Sequence, residues 1–235
     1  MAIHILLAAA LALGCASASP PAPGKGSAWG FLRLVPREGV APGAGAAGSY
    51  GDRRLRDVEF VDYSRPGFAV VYAEGGPSPG GTALLEIRAS RLHVVLEPRY
   101  AAVGRGGTLV VRNATAASHV LSCPAARVLQ RIEPGAAAEI PLLEAGEQPV
   151  FVLDAAGSPG SGATVFAAPG PYAITSERGR FELADLDPGR VRLRAWHPRF
   201  PPSSRWLTVA PDTATRIDLE LGVDRMDEAS GADRP

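Results

Sequence analysis

The sequence predicts an all-β protein built from many short strands, and three observations lead to that fold class. The 27 Gly and 22 Pro residues together make 49 of the 235 residues, too many for a helical protein. Apolar and β-branched runs recur along the chain, separated by Gly, Pro, Asn or Asp. After the N-terminal segment, no stretch of about twelve residues keeps a helical period without a Gly or Pro. Short strands with regular turn signals are typical of β-sandwiches.

The charge and the cysteine content exclude several classes of protein. Lys plus Arg total 24 and Asp plus Glu total 24, which gives a formal net charge of zero. This balance argues against nucleic acid as a partner, because phosphate binding needs an excess of basic residues. Two Cys residues cannot build a disulfide-rich scaffold or a four-thiolate zinc site.

The N-terminus predicts export. Ile5–Leu13 is an apolar run that is much shorter than the roughly 20 residues of a transmembrane helix. Small residues follow it, so we expect a signal peptide at 1–18 and a Ser/Pro/Gly-rich spacer at 19–27. Cleavage after Ala18 would discard Cys15, whereas a lipobox-like reading of Ala12–Cys15 would make Cys15 the site of lipidation. The expected location is periplasmic or extracellular, without a transmembrane span, and either free or lipid-anchored.

The candidate strands follow one another to the end of the chain. A Gly/Ala-rich loop is expected at Pro36–Arg54 and a polar, disordered tail at 223–235. Gly104–Gly107 is expected to be a hairpin turn. The predicted strands are Trp29–Val35, Val58–Tyr63, Phe68–Ala73, Ala83–Arg88, Leu92–Leu96, Thr108–Arg112, His119–Cys123, Arg127–Ile132, Ala138–Leu142, Val150–Leu153, Thr164–Ala167, Tyr172–Thr175, Arg180–Leu183, Arg190–Trp196, Trp206–Val209 and Arg216–Leu221.

The clearest pattern lies near the C-terminus. Arg190–Trp196 alternates polar and apolar side chains, so its three arginines are expected to face water. Thr175–Phe181 has the spacing Thr-x-x-x-Gly-x-Phe, and a Pro-Gly turn and the strand-like Ile217–Leu221 follow. These segments resemble the carboxypeptidase regulatory-like domain, a small transthyretin-like β-sandwich. The resemblance implies an accessory module without catalytic residues, and some such domains share a carbohydrate-binding-like fold, which does not by itself transfer sugar binding.

The middle of the chain carries a second resemblance. Thr108–Asn113 is a strand that ends in Asn, and a short loop leads from it to His119. Together with Arg91–Val95 before it and Pro134-Gly135 after it, this order is similar to cupredoxins of the plastocyanin type, which have a Greek-key β-sandwich. The whole arrangement resembles exported proteins of the methylamine-utilisation type, in which a cupredoxin is combined with a regulatory-like sandwich. In this family, His119 stands in the place of the first copper ligand.

The other copper ligands implied by the resemblance are absent. By order and strand register, Leu153 takes the place of the Cys ligand and Ala156 that of the second His. A blue-copper site needs two imidazoles and a thiolate. His119, Cys123 and His93 are the weak remaining candidates, but residues four apart on a strand lie about 13 Å apart. We therefore expect no bound copper and no other cofactor.

Two further groups of residues have structural interpretations. His197 is expected to cap a turn at the end of a strand, with Trp196 packed beside it. Trp29, Trp196 and Trp206 could act as stacking platforms for sugars, although the strand patterns favour core or rim positions for two of them.

The predicted architecture has a discontinuous domain. We expect a regulatory-like sandwich formed by 28–75 and 171–222, with a cupredoxin-like domain at 76–170 inserted at a surface turn. The predicted function is that of an exported, non-enzymatic binding or structural protein with an unknown protein or glycan partner in the cell envelope. The alternatives are a copper-binding electron-transfer protein with an atypical site, or a carbohydrate-binding module.

Overall fold

The computed structural model describes residues 18–37, 61–90, 93–153 and 159–223. These residues form β-strands and a single turn of 3-10 helix at Pro124–Ala126, and no α-helix. The strands are β1 (Gly26–Val35), β2 (Val70–Glu74), β3 (Thr82–Ala89), β4 (Val94–Glu97), β5 (Tyr100–Gly104), β6 (Thr108–Asn113), β7 (His119–Cys123), β8 (Val128–Ile132), β9 (Ala137–Pro141), β10 (Gly146–Leu153), β11 (Pro159–Ala168), β12 (Tyr172–Ile174), β13 (Arg180–Leu186), β14 (Gly189–His197), β15 (Phe200–Val209), β16 (Ala214–Arg216) and β17 (Leu219–Gly222).

The predicted all-β fold class is confirmed. Several predictions lie outside the described residues: the signal peptide, Cys15 as a lipidation site, most of the Pro36–Arg54 loop and the tail after Val223. The predicted strand Val58–Tyr63 falls partly there too, and its described residues form no strand. None of the described helices or turns is long and apolar enough to cross a membrane.

Three details of the strand prediction are wrong. β5 was not predicted, because its Ala-rich sequence has little β-propensity. The predicted strand Arg216–Leu221 is interrupted and forms parts of β16 and β17. At the interruption, the N–H of Phe31 in β1 donates to the side chain of Asp218 (3.0 Å) and not to a backbone carbonyl, so the ladder of backbone hydrogen bonds is broken. β1 begins at Gly26, so the last two residues of the predicted spacer belong to a strand.

One sandwich is formed by strands from both halves of the chain, and we call it the split sandwich. Its first sheet has the order β13-β1-β16, with β17 also paired to β1; its second sheet has the order β12-β2-β14-β15. Buried side chains from both sheets form one core, among them Leu32, Phe181, Leu193 and Leu219. The alternation predicted for Arg190–Trp196 is observed in part: Leu193 and Ala195 are buried and Arg190 is exposed, but Arg192 and Arg194 are half-buried and pair with Glu74 at 3.7 and 3.0 Å.

A second sandwich is formed entirely by β3 to β11, and we call it the continuous sandwich. Its two sheets have the orders β4-β3-β6-β9 and β5-β11-β10-β7-β8. Its core is aliphatic, with Leu85, Ile87, Leu109 and Ile140 fully buried. β5 and β6 lie in different sheets, so the predicted hairpin at Gly104–Gly107 is wrong: this turn, closed by a Gly107 N–H to Gly104 C=O bond (2.9 Å), joins the two sheets.

The chain leaves and re-enters the split sandwich at adjacent points. The N–H of Ala73 donates to the carbonyl of Pro171 (2.9 Å). Gly170 lies so close to this segment that a Cβ there would be 2.4 Å from the carbonyl oxygen of Ala73, so only glycine fits. The two connections between the sandwiches are therefore held side by side.

The two sandwiches pack together through an aromatic cluster. Trp196 stacks on Phe166 with ring centroids 4.6 Å apart, and Tyr72 packs against the same Phe166 ring at 5.4 Å. The indole N–H of Trp196 donates to the carboxylate of Glu147 (2.8 Å), which belongs to the continuous sandwich. Burial raises the pKa of the Tyr172 phenol at the edge of this cluster. The outer face of the β2–β14 sheet is thus partly covered by the continuous sandwich.

Candidate functional site

His119 lies at the start of β7, at the end of the loop that leaves β6. Its ring is only 4% exposed, and its Nε2 is 2.7 Å from the hydroxyl of Thr115. The buried Asn113 side chain shapes the loop, since its Oδ1 accepts from the backbone N–H and hydroxyl of Thr115 and its Nδ2 donates to Ala117 C=O (2.8 Å). Nδ1 of His119 is buried and has no hydrogen-bond partner among the residues that the structure describes. Within these residues, this end of the continuous sandwich therefore holds an imidazole with one unused nitrogen.

Cys123 does not approach His119. β7 pairs regularly with β8 from His119 opposite Ile132 to Cys123 opposite Val128. Two residues four apart on such a strand lie on one face at about 13 Å, too far to share a metal ion. The Cys123 thiol is fully buried, and burial raises its pKa, which disfavours the thiolate that a metal would bind.

The other proposed ligand positions are not brought to His119 either. His93 is exposed in the turn before β4, in the opposite sheet of the continuous sandwich. Leu153 lies directly opposite Val120, which is the neighbour of His119 on the other face of β7. Leu153, which by order takes the place of the Cys ligand, therefore lies on the other face of the sheet from His119, because residues directly opposite each other share a face. Ala156 lies outside the described residues. In the described part of the chain, no three His, Cys, Asp or Glu side chains are grouped as metal ligands would be.

His197 has the structural role predicted for it. Its Nδ1 accepts from the N–H of Arg199 (3.0 Å), which caps the turn between β14 and β15. Its Nε2 lies 3.3 Å from the carbonyl oxygen of Pro66, and the ring contacts Phe200 edge-on. Both ring nitrogens of this buried histidine are therefore used.

The three tryptophans have different environments. Trp196 is 4% exposed in the aromatic cluster and cannot receive a ligand. Trp29 is partly buried, with the guanidinium of Arg216 5.4 Å from its ring centre. Trp206 is 53% exposed, and the guanidinium of Arg190 lies 4.3 Å from its ring centre. Trp206 is thus the only one of the three with a mostly open surface.

A cleft of about 410 Å³ lies beside β1 on the outer side of the split sandwich. We call it the arginine cleft, because Arg33, Arg178 and Arg216 line it. Phe31 supplies an apolar surface, and Tyr63 and Ser64 supply hydroxyl groups. No local sequence pattern predicts this cleft, because its residues come from four separate stretches of the chain. One local feature could have indicated the cleft: Phe31 and Arg33 lie on the outward face of β1, between buried residues.

Comparison with protein families gives one match. A family model of the carboxypeptidase regulatory-like domain matches residues 150–222, which bears out the predicted resemblance for this range. The matched range contains β12 to β17 of the split sandwich and also β11 and the end of β10, which pair inside the continuous sandwich. No curated protein matches the chain.

Proposed function

We propose that this protein is an exported, non-enzymatic binding or structural protein in which a cupredoxin-like domain without bound copper is inserted into a regulatory-like sandwich. The observation that carries the proposal is the pairing of β2. This strand pairs with β12 and β14, more than 90 residues later in the chain, whereas β3 to β11 pair only with one another in the described residues. Such pairing is what an insertion at 76–170 requires.

The cupredoxin-like assignment rests on the order of elements around His119. A strand ending in Asn113 is followed by a short loop and then by the buried His119, as the resemblance implies. Parallel pairing of β3 with β6 and of β5 with β11 is compatible with a Greek-key sandwich of this type. The export part of the proposal rests on the apolar run Ile5–Leu13 and the small residues after it.

The proposal that the protein binds no copper rests on the distances between the candidate ligands. A trigonal copper site takes two imidazoles and a thiolate at bonding distance. Among the described residues only His119 is at the site; Cys123 is about four residues along the strand and His93 is in the other sheet. A single imidazole does not hold copper against a competing chelator.

Copper titration of the full chain tests this proposal. We expect no intense visible absorption of the thiolate-to-copper type, because the Cys123 sulfur lies too far along β7 to bond to a copper ion at His119. His119→Ala is the test variant and His93→Ala is the matched control, since His93 is an exposed imidazole in the same sandwich. A stoichiometric blue complex that His119→Ala abolishes and His93→Ala leaves intact would show the alternative, an electron-transfer protein.

A second candidate function, glycan binding, is favoured by the exposure of Trp206. Exposed aromatic rings provide stacking surfaces for ligands, and Arg190 and Arg192 flank this ring at 4.3 and 5.9 Å. We expect Trp206→Ala to abolish binding on a glycan array while leaving the fold intact by circular dichroism. The control is Leu129→Ala, which also removes an exposed apolar side chain but lies on the other, continuous sandwich. An array without a binding glycan would exclude this candidate.

A further inference from the structure

The arginine cleft has the composition of an anion site. Arg33, Arg178 and Arg216 line it, and none of its described lining residues carries a carboxylate. Neither Arg33 nor Arg178 forms a side-chain hydrogen bond or ion pair with any residue that the structure describes. The nearby carboxylates are Asp218, which pairs with Arg216 at 3.2 Å, and Asp62, which accepts the N–H of Ser64 at 2.9 Å. Among the described residues that line the cleft, the charged groups are therefore the three guanidinium groups.

Arg178 is carried by a turn that is fixed to β1. The turn is closed by the bond from Gly179 N–H to Ser176 C=O (2.8 Å), and the hydroxyl of Ser176 accepts the N–H of Arg180 (3.1 Å). The carbonyl of Gly179 accepts the N–H of Leu32 (2.8 Å). Gly179 has φ +80, and a Cβ there would lie 2.1 Å from the carbonyl oxygen of Leu32. Glycine is thus required for the turn to lie this close to β1.

The opposite wall of the cleft is also held in place. The carboxylate of Asp62 accepts from the backbone N–H of Ser64, and its backbone carbonyl accepts the N–H of Arg65 (3.0 Å), which forms a tight turn. The ring of Tyr63 packs edge-on against Phe200 at 6.2 Å. The two walls are therefore anchored before a ligand arrives, which lowers the ordering cost of binding.

We propose that the arginine cleft binds a small organic anion, a sugar-sized ligand that carries a carboxylate or phosphate group. Guanidinium groups recognise both oxyanions through paired hydrogen bonds. The volume of about 410 Å³ lies within the range of small-molecule sites. Phe31 offers a surface for the ligand body, and Tyr63 offers a hydroxyl. The site is independent of the continuous sandwich, so a copper complex at His119 would overturn the proposed function and leave this inference standing.

Isothermal titration of the full chain tests the proposal with three probes. Digalacturonate carries carboxylates, galactose 1-phosphate carries a phosphate, and neutral galactobiose carries neither. We expect one or both anions to bind, with the better of them identifying the oxyanion, and galactobiose to bind at least about tenfold more weakly. Binding should weaken as salt is added, because the guanidinium groups are exposed. Failure of both anions to bind at millimolar concentration would overturn the proposal.

Variants locate the site. We expect Arg33→Gln and Arg178→Gln each to weaken anion binding about tenfold, since each removes a charge-assisted hydrogen bond. Asp218→Asn should strengthen binding severalfold, because it removes the negative charge that Arg216 and Arg33 share. Arg105→Gln is the matched control, an exposed arginine in the turn between β5 and β6. Unchanged affinity in the Arg33→Gln/Arg178→Gln double variant, or an equal loss in the control, would overturn the proposal.

Discussion

The two buried histidines lie in regions that use polar side chains differently. In the split sandwich, the Nε2 of His197 contacts Pro66 across 131 positions of sequence. Thr175 joins the same segment, donating to Gly67 C=O (2.9 Å) and accepting from Ala69 N–H (3.1 Å). Around His119, by contrast, the bonds of Thr115 stay within four residues. The bonds of His197 and Thr175 thus connect distant segments, whereas those of Thr115 and His119 shape one loop, which the Asn113 amide joins to Ile132 C=O (3.1 Å).

This difference predicts where a lost hydrogen bond affects the whole fold. A bond between distant segments exists only in the folded state, so its loss lowers the free energy of unfolding directly. A bond within one loop fixes fewer degrees of freedom and can partly persist in the unfolded chain. The Nδ1 of His119, which has no partner in the described part of the chain, adds to the contrast, because a buried polar atom without a partner is destabilising.

The largest expected effect comes from replacing each histidine with leucine, which has a similar volume. His197→Leu leaves the Arg199 N–H and the Pro66 carbonyl without their partners, so we expect the free energy of unfolding to fall by about 2–4 kcal/mol. His119→Leu removes one bond to Thr115 and also the unpartnered nitrogen, so we expect a change within about 1 kcal/mol in either direction.

Urea unfolding followed by circular dichroism measures both variants against the unsubstituted protein. Leu129→Ala, an exposed position in the continuous sandwich, serves as the control and should change the free energy of unfolding by less than about 0.5 kcal/mol. Equal losses in the two histidine variants would contradict the comparison and would give His119 a stabilising partner outside the described residues.

The sequence predicted the fold well where a strand has a strong alternating pattern. Arg190–Trp196 is such a strand: Leu193 and Ala195 face the core as predicted, although Arg192 and Arg194 are half-buried against Glu74. It failed at Tyr100–Gly104, whose Ala-rich strand is held by pairing with β11 and not by its own propensity. It also failed at the turn Gly104–Gly107, because a tight turn within one sheet and a tight turn between two sheets have the same glycine signal.

Site residues were harder to predict than strands. The turn-capping role of His197 depends on the neighbouring Arg199 and was found from local sequence. The face of Leu153 depends on the register between β10 and β7, and a shift of one residue reverses it. The arginine cleft depends on Arg33, Arg178 and Arg216 meeting across more than 180 positions of sequence, which no local pattern encodes.

The smallest expected effect concerns stability in acid. It compares two carboxylates, of which Asp218 bonds to a residue distant in the sequence and Asp62 to a residue two positions away. Partial burial raises the pKa of Asp218, but the hydrogen bond from Phe31 N–H and the pairing with Arg216 outweigh it, so the pKa lies below its usual value. The pKa of Asp62 is also lowered, first by the hydroxyl and then by the backbone N–H of Ser64, two residues away. Only the bond between Asp218 and Phe31 joins distant segments.

Because the pKa of Asp218 is lower in the folded than in the unfolded chain, its contribution to stability is present above about pH 4 and is lost as the pH falls through the folded value. Asp218→Asn should therefore flatten the fall in stability below pH 4, by less than about 1 kcal/mol, since the side chain is still 32% exposed and water screens its pairing with Arg216. Asp62→Asn is the matched control, and we expect it to leave the slope closer to that of the unsubstituted protein, because its bonds to Ser64 can form in an unfolded chain. Urea midpoints measured from pH 2 to pH 6 decide between them. If the pH dependence of the urea midpoint became flatter in Asp62→Asn than in Asp218→Asn, the comparison would be contradicted. The sequence separation of two bonded residues would then not determine how much their bond stabilises this fold.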